Sequence, residues 1–381
     1  FYFFYFLFAG FNGRLNPFHF KKKYPNSGSK KFRGTASLFI PCKGNPLAFE
    51  TNIRTLLEMA DLNIRIYFIV ENKNDPAFNV INNIIKDYDQ AFVVQAGTAS
   101  VCSQKNYNLL KGIEASGQKD DIYVFLDADT CFTTEKLNTL LRPLDDPSIV
   151  ATCGFQWNIL KKKNFGDRFM SFLIATQWMS INIPFFKWFW GGAMSLKRET
   201  YETLGIHDYW SRRAVDDISL TPLMLKHKKK ICFVPIVVNE QHQGITSVKK
   251  AIQWYTRQYI YLKYYTFSMW LLGLFSLTFF FGQLWVLPVL LIGAAIFKPL
   301  LFMPLLFYSL CILCSIIIGT ATIKYPYKDN FSLISWIFLS PAFAALLIIP
   351  VLKTLFTWKM KWANVVYKVN RKGIVTEMIR E

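Results

Sequence analysis

The sequence predicts an α/β domain, with a mixed, largely parallel sheet flanked by helices, joined to a set of transmembrane helices. Three observations carry this reading. Patterns of short buried strands alternate with helical ones over residues 35–266. Three charge-free runs follow between residues 267 and 352. The composition is 52% hydrophobic and 17% aromatic, with 36 Phe, which is more apolar than an ordinary soluble protein. The net charge of +19 falls in blocks beside the hydrophobic stretches, which suits anionic lipid headgroups better than a nucleic-acid groove, and no nucleic-acid module signature occurs.

Taken in order, FYFFYFLFAGF, within residues 1–13, reads as the end of a transmembrane segment or signal anchor. Residues 14–34 form a basic linker, with Arg14, Lys21, Lys22, Lys23, Lys30, Lys31 and Arg33 and no acid. That is the flank expected on the cytoplasmic side of a membrane segment, and also what a solvated linker looks like. TASLFIP, IRIYFIV and DIYVFLD then read as buried strands, with LAFETNIRTLLEMA a helix between the first two. Residues 169–190 are apolar but contain Asn182, Pro184 and Lys187, which leaves an interfacial helix and a core helix both open. KKAIQWYTRQYIYLKYYT reads as an amphipathic interfacial helix, on which Lys249, Lys250 and Lys263 snorkel to lipid.

Phe267–Phe297, Pro299–Ile323 and Phe331–Leu352 are uncharged, each long enough for a crossing of about 20 helical residues. The first is interrupted at Gly282 and Pro288, so it reads as one kinked passage, a re-entrant hairpin or two short passes. Residues 353–381 are basic again and are expected on the cytosolic face, with the globular domain. The odd number of cysteines, scattered along the chain, gives no disulfide framework and implies a reducing compartment for that domain. Cys311 and Cys314 read as small buried residues of an apolar run, since no further metal-binding side chain lies near them.

The chemistry is concentrated in acidic pairs. Asp127 and Asp129 follow the strand YVFL, at the carboxyl edge where parallel sheets bind ligands. Their alternation gives two hard oxygen ligands for Mg²⁺ or Mn²⁺, an ion that bridges to phosphate oxygens. Asp216 and Asp217 in AVDDIS stand before the helix SLTPLMLKHKK. One could act as a helix N-cap, or as the base that takes a proton from an acceptor hydroxyl, and Asp217 is the choice for that base. Arg257 can clamp a diphosphate bidentately as its charge grows. His242 is either a structural histidine or a further metal ligand.

These residues, in this order, resemble an inverting family 2-type glycosyltransferase of the GT-A fold, most closely the ceramide glucosyltransferase family. IPCKG at 40–44 resembles its first nucleotide loop, and VENKNDPA at 70–77 a strand-end segment. SQKNYNLLKG at 103–112, GGAMSLKRE at 191–199 and the closing TWKMKWANVVYKV match further segments. The resemblance implies a UDP-sugar donor held by Pro41, Lys43, Glu71, Asp75, Lys105, Asp127, Gln253 and Trp254. It implies a metal at Asp127 and Asp129, with His242 near a third ligand position. It implies Asp217 as base, supported by Asp216, and Arg257 on the leaving group. The sequence departs from the family at Asn72, where the family has its first aspartate. It departs at Asp216, where the family has Glu, and at Gln258, where its Arg is followed by Trp; Trp254 stands one turn back. The reading is a membrane-bound hexosyltransferase, glucose being the implied sugar, acting on a ceramide-like or other membrane lipid. The alternatives are a processive polysaccharide synthase and a non-catalytic transporter or scaffold.

Overall fold

The computed structural model describes residues 12, 15–59, 63–160, 164–181, 188–243, 246–310, 333–362 and 365–380. The expected strands form: β1 Ala36–Pro41, β2 Ile64–Val70 and β4 Ile122–Leu126, with β3 Ala91–Gln95 beside β2. Nearly every residue of β1, β2 and β4 is buried, as parallel strands covered on both faces must be. With β5 Thr130–Cys131, β6 Ile149–Leu160, β7 Ala193–Lys197 and β8 Lys230–Gln243 they make an eight-stranded sheet of order β3-β2-β1-β4-β7-β6-β8-β5. β1 pairs in parallel with β2 and β4, β2 with β3 and β6 with β8, whereas β7 runs antiparallel to β4 and β6. The sheet is therefore mixed and mostly parallel, as expected. Its direction reverses beside β4, the strand that delivers Asp127.

Helices Phe49–Leu57, Pro76–Ile84 and Gln104–Ala115 cover the parallel half. Their ends obey capping chemistry. Asp75 accepts from the Ala77 N–H with Pro76 at the first helical position, and Ser103 accepts from the Asn106 N–H. Helix Gln104–Ala115 lies close on the sheet because of Gly112, where a Cβ would stand 2.8 Å from Ile69 Cδ1 and 3.1 Å from Phe39 Cδ1.

Helix Phe165–Ile181 is a core helix, which decides between the two readings of residues 169–190 as far as Ile181; residues 182–187 lie outside the described residues. Phe169, Leu173, Ala175 and Trp178 are buried against helices Val248–Tyr265 and Leu333–Phe356. Lys263 does not snorkel. It is buried, and its Nζ donates to the carbonyls of Thr354 at 2.6 Å and Thr357 at 3.2 Å, a cation at the carboxyl end of a helix.

Helix Phe267–Phe281 passes through a π-helical turn, Gly282–Val286, into helix Leu287–Phe297. The interruption thus falls at Gly282, with Pro288 in the first turn of the next helix, where a missing N–H is tolerated. Among the described residues, no single helix is long and apolar enough to cross a membrane. The stretch FYFFYFLFAGF, most of the run 299–323, and Cys311 and Cys314 lie outside the described residues. Phe275, Ile296, Leu300, Met303, Phe307, Phe338 and Phe356 are each at least 68% exposed.

The terminal basic stretch has more structure than its charge suggested. Helix Leu333–Phe356 runs into it, and β9 Lys359–Trp362, β10 Val365–Val369 and β11 Val375–Arg380 then form an antiparallel sheet. Met360, Val365 and Tyr367 bury against Val215, Ile218, Ile260 and Tyr265. The basic linker is likewise folded onto the domain: Phe20 joins the core, and the Asn138 side chain accepts from Phe32 N–H and donates to the Gly28 carbonyl.

Candidate active site

Loops after β1, β2 and β4 open on one edge of the sheet and surround a cavity of about 510 Å³. Pro41, Lys43, Glu71, Asp75, Lys105, Asp127, Asp129, Asp216, Asp217, Trp254 and Arg257 all line it. The residues singled out from distant stretches of sequence therefore converge. Gln253 does not: it is exposed and lies off the lining, and Gln258 takes a place on the cavity side. On a helix of 3.6 residues per turn, positions 254, 257, 258 and 261 share a face that 253 does not. The backbone of His242 pairs with Ile159 in β8, but its side chain lies outside the described residues, so its reading as a ligand is not carried further.

Lys105 is the hub. Its Nζ lies 2.8 Å from Asp127 Oδ1 and 2.9 Å from Asp216 Oδ2. Ser103 N–H donates to the Arg213 carbonyl at 3.0 Å, and Asn106 Nδ2 donates to the same carbonyl at 3.1 Å. The start of helix Gln104–Ala115 is thereby tied to the loop that leads into Asp216. Trp210 Nε1 donates to the Asp216 carbonyl at 2.9 Å and fixes the next turn. Burial pulls Lys105 toward neutrality, but Asp127, Asp216 and Asp217 together hold it well above its ordinary value, so it stays charged.

Asp217 is neither a plain helix cap nor a solvated acid. Its Oδ2 accepts from Gly191 N–H at 2.7 Å and its Oδ1 from Ile218 N–H at 2.6 Å. Burial and the neighbouring Asp216 push its carboxyl up to about 7, against the pull of Lys105 and the two N–H groups. Gly191 keeps this cluster tight. A Cβ there would stand 2.8 Å from Asp216 Oδ2, 3.1 Å from Lys105 Nζ and 3.2 Å from Asp217 Oδ2.

Asp75 has a second duty besides its cap, since its Oδ1 also accepts from Gly44 N–H at 2.7 Å. It thereby anchors the IPCKG loop where Gly44 takes a φ of 67°, a left-handed conformation suited to glycine. Arg257 also lines the cavity, and its Nε is buried with no hydrogen-bond partner. Tyr261 stands beside it, its hydroxyl pushed up by burial more than Arg257 pulls it down.

The sequence of this chain matches the family described as Glycosyl transferase family 21 over residues 5–375. The chain belongs to that family. It is the ceramide glucosyltransferase family that the motifs resembled. No curated protein matches the family 21 chain in sequence. Solved structures are similar only distantly. A 4-diphosphocytidyl-2C-methyl-D-erythritol synthase from Anaerococcus prevotii is 13% identical, with a TM-score of 0.37 over 59% of this chain and 95% of its own. A glucosyl-3-phosphoglycerate synthase from Mycobacterium tuberculosis, in complex with Mn²⁺, UDP and phosphoglyceric acid, is 14% identical, with a TM-score of 0.36 over 62% of this chain and 80% of its own. Likeness at that level carries no argument about this chain.

Sequence reasoning missed several lining residues of the family 21 site: Gln104, Asn108, Gln156, Gln177, Trp190, Tyr261 and Tyr367. Gln104, Asn108 and Trp190 lie in or beside segments already matched to the family, a signal that pointed at them. Tyr261 was available from helical phase with Arg257. Tyr367 likewise lies in a matched segment, the closing TWKMKWANVVYKV, although that stretch was otherwise read as a basic tail.

Proposed function

We propose that this chain is a membrane-bound inverting glycosyltransferase that moves a hexose, glucose by family likeness, from a UDP-sugar to the hydroxyl of a ceramide-like or other membrane lipid. The observation that carries this reading is the convergence of Asp127, Asp216 and Asp217 on Lys105, in one cavity with Arg257. A half-buried carboxylate with its pKa raised to about 7 is matched to taking a proton near neutral pH. Asp217 would accept the hydroxyl proton as the acceptor oxygen bonds to the anomeric carbon. The bond from that carbon to the diphosphate breaks, and UDP leaves with the electron pair. Lys105 and Arg257 would then meet the charge that grows on the departing diphosphate, with Lys105 at the amino end of a helix, where anions are favoured.

Among the described residues, no group of three His, Cys, Asp or Glu side chains could hold a metal by itself. Two carboxylates still fit a hard divalent ion that completes its shell with phosphate oxygens and water. Asp127 and Asp129, both on the cavity wall, are the residues that would hold it. A bound Mg²⁺ or Mn²⁺ would neutralise charge on the diphosphate.

Membrane attachment is supported by the uncharged runs and by the exposed apolar side chains of Phe275, Leu300, Phe338 and Phe356. The helix that bears Arg257 leads directly into the first of these runs, which would bring a lipid headgroup to the cavity. Incubation of the detergent-purified protein with a panel of UDP-sugars, Mn²⁺ and a lipid extract tests the reading. We expect one sugar on a lipid, and a rate lower by roughly a hundredfold or more for Asp217→Asn. A long polysaccharide product, no glycosylated lipid, or an unimpaired Asp217→Asn protein would overturn it.

A further inference from the structure

We infer that Arg380, on β11, is a positioning residue for donor recognition, acting through Glu71 and Gln104 from outside the cavity. The inference rests on the donor-site reading above and adds a residue to it.

Arg380 does not line the cavity; it stands behind residues that do. Its Nη1 donates to Glu71 Oε1 at 3.1 Å, and its Nη2 to Gln104 Oε1 at 3.1 Å and to the Ala99 carbonyl at 3.3 Å. One planar guanidinium thus ties together three pieces of chain: the end of β2, the 97–99 loop and the first residue of helix Gln104–Ala115. Only a fork of donors in fixed geometry reaches all three at once, which a lysine ammonium does not reproduce.

The acceptors are themselves held. Glu71 Oε1 also accepts from Thr98 Oγ1 at 3.2 Å. Gln104 Oε1 accepts from Ala99 N–H at 2.9 Å, while its Nε2 donates to the Gly97 carbonyl and to Asn108 Oδ1, each at 2.8 Å. The Gln104 amide has its oxygen toward Arg380 and its nitrogen committed to two acceptors, so its orientation is set by this network. The next residue is Lys105, the hub of the acidic cluster. Loss of Arg380 would leave Gln104 its bonds to Ala99, Gly97 and Asn108 and Glu71 its bond from Thr98, but would cut the tie between the two, which costs a binding site part of its pre-organisation.

The test measures UDP binding with Mn²⁺ by calorimetry for the wild type, Arg380→Gln, Arg380→Lys, Glu71→Ala and the Arg380→Gln/Glu71→Ala double variant, alongside transfer kinetics. We expect Arg380→Gln to weaken UDP binding about tenfold, Arg380→Lys to fall in between, and the double variant to bind no worse than Glu71→Ala alone, as coupled residues do. In turnover, KM for the UDP-sugar should rise about tenfold, with kcat within about twofold and the lipid KM unchanged. A merely structural role would lower kcat and move both KM values. Wild-type affinity in Arg380→Gln, losses that multiply in the double variant, or a parallel change in the lipid KM would each overturn the inference while leaving the donor-site reading intact. Failure of the wild type to bind UDP would overturn both.

Discussion

Asp217 illustrates how one carboxylate acquires its role from its surroundings. Loss of water and the proximity of Asp216 move its carboxyl from 3.8 to about 7, and Lys105 restrains that rise. In the proposed reaction the proton must be absent for Asp217 to act as base. We therefore expect kcat/KM to climb with pH through about 7 and level off above it, a limb that Asp217→Asn should lack; pH–rate profiles of the two proteins check this. The linkage to stability has the opposite sense. Because the folded pKa is raised, the contribution of Asp217 to stability is fully present below 3.8 and is lost as pH rises through about 7. The acidic pairs were legible in the sequence through their order among the matched segments, since a lone Asp after a strand or before a helix is an ordinary turn or cap residue. Gln156 and Gln177, which also line the cavity, were not, since amide side chains serve ordinary cores and surfaces equally well.

Helix Val248–Tyr265 joins the chemistry to the framework. Tyr255 and Tyr259 pack toward helices Phe165–Ile181 and Leu333–Phe356, while Trp254, Arg257, Gln258 and Tyr261 face the cavity. Its amphipathic pattern was legible, but an apolar stripe does not say whether lipid or another helix covers it. Here neighbouring helices do. Phe343, 2% exposed, packs at a tilt against Phe165, Phe169 and Phe172 and holds that contact. Phe343→Ala is expected to cost about 3–5 kcal/mol, measured by chemical denaturation in detergent, and to lower activity by loosening the seat of Arg257. A change within experimental error would mean that the helices are held elsewhere.

Across the whole molecule, alternation of strand and helix patterns was enough to foresee the parallel half of the sheet. The antiparallel insertion of β7 depends on long-range pairing that local periodicity does not encode, whereas β9 to β11 pair with their neighbours in sequence and were passed over because the stretch was read as a basic tail. The membrane reading makes its prediction at this scale: the intact protein should float with liposomes in a density gradient and resist release by high salt, because apolar contact is not screened by ions. Sedimentation away from the vesicles would remove the lipid acceptor from the proposal.

Arg380 meets Glu71 across 309 positions of chain. A nascent polypeptide that had reached only the end of β8 would already contain the acidic cluster, yet it would lack the strand that braces Glu71 and Gln104. Synthesis from the amino end therefore makes the acidic cluster first and its brace last, and a copy cut short before β11 would lack this contact.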